Sequence, residues 1–74
     1  MTKQLEAVLR EVLNQPAKGN LAYAQSYTRA IFEADMRGRE LKCQLGYVLV
    51  NLSYWKGFEA RRVKKIIIKE AHIL

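Results

Sequence analysis

Residues Arg39 to Tyr54, RELKCQLGYVLVNLSY, decide the fold, because their apolar side chains recur at helical spacing on two faces. Leu41, Leu45, Val48, Leu49 and Leu52 fall on one face at the three- and four-residue intervals of an α-helix. Cys43, Tyr47, Val50 and Tyr54 form a second stripe, so the segment reads as a helix buried on two sides and central to the domain. Gly38 stands just before it, as the expected stop of a preceding helix in the left-handed conformation that glycine adopts at little cost.

Upstream of Gly38, Asn20 is placed to cap a helix with its side chain. Tyr23, Ala24, Tyr27, Ala30, Ile31 and Ala34 then form its inner stripe, rich in small residues that permit close helix packing. Before that, Leu5, Val8, Leu9, Val12 and Leu13 make an amphipathic first helix with Lys3, Glu6, Arg10 and Glu11 facing away, ended by Pro16 and Gly19. Downstream, Gly57 breaks the central helix, and Phe58, Val63, Ile66, Ile67 and Ile73 give the last segment an inner stripe that leaves Ile68 outside. Three β-branched residues in a row, Ile66 to Ile68, favour a strand, but nothing before them alternates with period two, so the segment reads as helix. The expected fold is all-α, a small four-helix domain over residues 1–74 with helices at about 2–14, 20–36, 39–54 and 58–71, short turns and helix three central.

A chain of 74 residues buries only about 60–65% of its unfolded surface. Half of its residues are apolar, and Cys43 is the only cysteine, so no internal disulfide supplements the core. The apolar surplus predicts a homodimer. The lone thiol and the lack of a basic-then-apolar opening segment predict a cytoplasmic protein. Uninterrupted apolar runs reach only three or four residues against the roughly 20 that cross a bilayer, so no membrane partner is expected.

Charge is unevenly placed. Residues 1–55 hold seven basic and five acidic groups, whereas residues 56–74 hold six and two, out of a formal net charge of +6. Basic groups clustered on one segment are the electrostatic footprint of proteins that bind nucleic acid or other anionic surfaces.

No catalytic arrangement is legible. His72, the single histidine, lies near the C-terminus without partners for acid–base work, and Cys43 is expected to be a buried, inert thiol. One Cys and one His cannot make a zinc site. Glu33, Asp35 and Glu40 read as a solvated loop face, and the four glycines are too isolated for a phosphate loop. The expected protein is therefore not an enzyme and holds no metal and no cofactor.

The one constellation with a mechanism is the basic last helix. Lys56, Arg61, Arg62, Lys64, Lys65 and Lys69 are its candidate phosphate contacts, and like charges four apart (Arg61 with Lys65, Lys65 with Lys69) repel until a polyanion relieves them. Ser53, Gly57, Val63 and Ile66, with Leu52 and Phe58 beside them, fall at the spacings of a small residue, a turn glycine and two inward aliphatics. On these residues Leu49 to Ile68 resembles the helix-turn-helix motif of DNA-binding proteins, although Lys56 stands where that family has an apolar residue and Ser53 where it has alanine. The resemblance implies a recognition helix from Phe58 to Ile68, with Glu59, Ala60, Arg61, Lys64 and Lys65 towards the major groove and Arg62 or Lys69 near phosphates.

Tyr54, Trp55 and Phe58 surround the turn and read either as core, as a stacking platform for bases, or as an anchor for a protein. The function expected is binding of nucleic acid, or a regulatory role, through the basic helix. The rival is a protein-interaction or inhibitor module without a nucleic-acid role, docking through Tyr54, Trp55 and Ile68.

Overall fold

The computed structural model describes residues 1–74 as four α-helices without a strand: α1 (Lys3–Leu13), α2 (Asn20–Glu33), α3 (Gly38–Asn51) and α4 (Phe58–Ile73). Ile66 to Ile68 are helical despite their β-branched side chains.

Helix ends depend on contacts that sequence spacing does not reveal. The Thr2 hydroxyl accepts from the Leu5 N–H at 3.1 Å and donates to Glu70 Oε1 at 2.7 Å, so one group caps α1 and ties it to the far end of α4. Asn20 does not cap α2; Gly19 holds that position at φ +54, with no side-chain cap, and Asn20 is already helical. Nor does Gly38 end α2. The helix stops at Glu33 in a Schellman turn, where Met36 N–H donates to the Ile31 carbonyl (3.1 Å) and Asp35 N–H to the Phe32 carbonyl (3.3 Å). Asp35 supplies the left-handed residue at φ +49, and Met36 directly after it packs against the core, which fixes the stop three residues early. Gly38 is left-handed as well, but it opens α3.

One cluster of 12 buried side chains draws on every helix: Leu5, Val8, Leu9 and Val12 from α1, Ala24 and Ile31 from α2, Leu41, Leu45 and Val48 from α3 with Leu52 after it, and Val63 and Ile67 from α4. Each helix packs on two neighbours, α1 and α3 both lying against α2 and α4, so the four close into a ring around this cluster. Helices α1 and α4 run antiparallel, since Thr2 meets Glu70 while Glu11 meets Arg62. Truncating a fully buried member such as Leu9 or Leu45 to alanine costs about 2–5 kcal/mol, a large part of the stability of so small a domain.

The ring explains where the apolar reading fails. A helix in a ring has one inward face, so α3 buries Leu41, Leu45 and Val48 and turns Cys43, Tyr47 and Val50 outward; these three are exposed rather than buried, as is Tyr54, which lies beyond the end of the helix. On α2 the inner face is Ala24, Gln25, Thr28 and Ile31, and Tyr23 faces solvent. The inner face of α4 is Ala60, Val63, Ile67 and Glu70, so Phe58 and Ile73, expected inside, are 72% and 71% exposed. The buried polar groups are satisfied: Gln25 Nε2 donates to the Val12 (3.0 Å) and Gln15 (2.6 Å) carbonyls at the end of α1, and Thr28 Oγ1 donates to the Ala24 carbonyl (2.7 Å).

Candidate nucleic-acid interface

Arg61, Lys65 and Lys69 recur every four residues along α4, on the side opposite the buried Val63 and Ile67. All three are exposed and none forms an ion pair. The neighbouring acids are engaged elsewhere. Glu11 and Glu59 both bind Arg62, the latter at 3.1 Å, and Glu70 turns inward to Thr2.

Arg62 is thereby a clamp between α1 and α4 instead of a free cation. Its side chain is 37% exposed, and the hydrogen bonds to Glu11 first and Glu59 second raise its pKa above the ordinary arginine value. Lys64 is also engaged: its Nζ donates to the Trp55 carbonyl at 2.7 Å. Lys56 lies off the helix, where it lines a cleft with Lys18. Of the six cations grouped by sequence, the outward face of α4 keeps three.

Helix α3 supplies two cations that sequence grouping missed. Gln44 donates to the Tyr27 carbonyl at 3.1 Å and Tyr47 stacks on Tyr27 with ring centroids 5.5 Å apart, so that flank of α3 faces α2. Glu40, four residues before Gln44, shares that flank. Lys42 lies on the opposite flank, the α4 side of the ring, with Arg39 one turn before it, and both are exposed and unpaired. Their isolation in sequence hid them; the packing of α3 on α4 places their flank on the α4 side of the ring.

The connection between α3 and α4 differs from the helix-turn-helix pattern. It runs over six residues, Leu52 to Gly57, where that motif uses three or four, and Ser53 lies in it rather than on a helix. Ala60, which the resemblance turns towards the groove, is fully buried because it stands three residues before Val63 and seven before Ile67 on the inner stripe. Gly57 N-caps α4 at φ +109, a conformation open to glycine and strained for other residues.

Among the aromatic candidates Tyr54 is 78% exposed, and Trp55 is half-buried against the core. Ile68 is 57% exposed, one residue from Lys69. Asp35 pairs with Arg37 at 2.7 Å, and Glu33 and Glu40 face solvent, as does His72. No helix is long and apolar enough to cross a membrane. Comparison with protein-family models, with characterised proteins and with solved structures returned no match.

Proposed function

We propose that this chain is a non-enzymatic nucleic-acid-binding module that grips the phosphate backbone through Arg61, Lys65 and Lys69 of α4, with Arg39 and Lys42 of α3 extending the contact. The observation that supports it is the sorting of charge: these five cations face solvent without a carboxylate, while Glu11, Glu59 and Glu70 are held by Arg62 and Thr2. Bound phosphates replace the mutual repulsion of Arg61, Lys65 and Lys69 and release condensed counterions. Contacts of this kind position a protein on a duplex without reading bases, so the binding is expected to be indifferent to sequence. The lone thiol supports a cytoplasmic setting for it.

The test is anisotropy of a labelled random duplex at two salt concentrations. Three phosphate contacts predict affinity about 40-fold weaker at 200 mM salt than at 50 mM, and five predict a steeper fall. Binding that is absent at 50 mM, or unchanged by salt, removes the reading.

A second reading rests on Tyr47 and Val50 on the outward side of α3, Tyr54 in the loop after it and Ile68 of α4, all more than half exposed. Such apolar exposure suits a protein partner or a second copy of the chain. Under that reading Ile68→Glu lowers the sedimenting mass with helicity intact; an unaltered mass takes Ile68 out of the contact.

A further inference from the structure

One cleft lies apart from the basic face of α4. It occupies about 400 Å³ between the start of α2 and the loop after α3, within the size range of small-molecule sites. Lys18, just before α2, and Lys56, just before α4, line it, and no acidic residue does. Tyr54 and Trp55 contribute aromatic surface, and Asn20 and Asn51 contribute amides.

Each feature matches part of one ligand class. An exposed tyrosine ring offers a face on which a base can stack, and stacking on aromatic side chains is a principal source of affinity for unpaired bases. Asn51 Nδ2 donates to the Tyr47 carbonyl at 2.9 Å, which fixes the amide and leaves its oxygen to accept from a base edge. Asn20 is exposed, with a donor and an acceptor both unengaged. Two ammonium groups without a carboxylate neighbour suit a phosphate. The segment is held in place, because the Trp55 carbonyl accepts from Lys64 Nζ and the Trp55 N–H donates to the Leu52 carbonyl at 3.0 Å.

We propose that this cleft binds a nucleotide unit, with the base against Tyr54, its edge at Asn20 and Asn51, and the phosphate at Lys18 and Lys56. The same chemistry is offered by a free mononucleotide and by an unpaired residue of a nucleic-acid strand. This inference does not depend on duplex binding by α4.

Trp55 is the only tryptophan, so its emission reports on the cleft directly. Adenosine monophosphate is titrated into the full chain with fluorescence and calorimetry in parallel. Saturable binding is expected, weakened roughly tenfold by Tyr54→Ala and by Lys18→Gln with Lys56→Gln, and unchanged by Arg61→Ala with Lys65→Ala. Adenosine is expected to bind more weakly, and inorganic phosphate to leave the emission unaltered. In the Arg61→Ala, Lys65→Ala variant, where the α4 face is weakened, a single-stranded octadeoxyadenylate that binds tenfold or more tighter than the mononucleotide, and loses that advantage with Tyr54→Ala, assigns the cleft to unpaired nucleic acid; equal or weaker binding assigns it to the free nucleotide. No heat and no emission change with either ligand at millimolar concentration overturns the proposal, as does binding that survives the Tyr54 and lysine substitutions. Tyr54 and both lysines are exposed, so circular dichroism is expected to show every variant folded. Loss of duplex binding with nucleotide binding retained counts against the α4 reading alone.

Discussion

Lys64 Nζ donates to the Trp55 carbonyl oxygen at 2.7 Å, joining the second turn of α4 to the loop that precedes it. One bond thus withdraws a cation from the basic face and fixes the turn that carries Tyr54, Trp55 and Lys56. Lys64→Met keeps the aliphatic packing and deletes the donor. It is expected to lower stability by about 1–2 kcal/mol in urea unfolding and to change duplex affinity far less than Lys65→Ala does. Equal losses of affinity from the two substitutions contradict a binding face that includes Lys65 and excludes Lys64.

Gln25 is 3% exposed and donates to both the Val12 and Gln15 carbonyls, satisfying groups that the end of α1 leaves open. Gln25→Ala deletes two hydrogen bonds and leaves a cavity, so a loss of about 2–3 kcal/mol is expected, with the melting temperature as readout. A neutral substitution shows that water replaces the amide.

Backbone conformation yields predictions of opposite sign. Asp35 sits at φ +49 at the end of α2, so Asp35→Gly is expected to raise stability by about 0.5–1 kcal/mol even though it removes the exposed pair with Arg37. Gly57 is at φ +109, and a Cβ there meets no atom within 4 Å, so the expected loss of about 1–3 kcal/mol in Gly57→Ala is backbone strain alone. Urea midpoints that move in the same direction for both variants contradict these turn assignments.

The α1–α4 clamp has a definite pH signature. Arg62 has a folded-state pKa raised above the ordinary arginine value by its hydrogen bonds to Glu11 and Glu59, so its contribution is complete below the unfolded-state pKa and is lost only as pH climbs through the folded one, far above neutrality. Arg62→Gln is therefore expected to lower the melting temperature by the same amount at pH 6 and pH 9. A destabilisation that disappears at pH 9 places a different titrating group in the clamp.

The helices were legible because Leu5, Val8, Leu9 and Val12, and likewise Leu41, Leu45 and Val48, carry the 3.6-residue period in sequence. Their ends were not, since Asp35 closes α2 through the packing of Met36, and Lys64 engages the loop after α3 from nine residues away. Periodicity also could not show that the stripe of Cys43, Tyr47 and Val50 faces solvent, which follows from the closure of four helices into a ring. The basic segment was visible as a run of charge, but the division into free and paired cations was hidden. Arg62 finds Glu11, 51 residues away in sequence, and only the packing of α3 on α4 shows that the flank of α3 carrying Arg39 and Lys42 lies on the α4 side.

Whether α4 carries the binding face is decided by comparing two charge-matched variants by duplex anisotropy across a salt series. Arg61→Ala with Lys65→Ala removes two cations from the outward face of α4, and Lys3→Ala with Arg29→Ala removes two from α1 and α2. A marked loss of affinity and a salt slope shallower by about 2 are expected for the α4 variant, with the slope retained in the α1–α2 variant. Equal losses in both show that net charge alone attracts the duplex and contradict a binding face on α4.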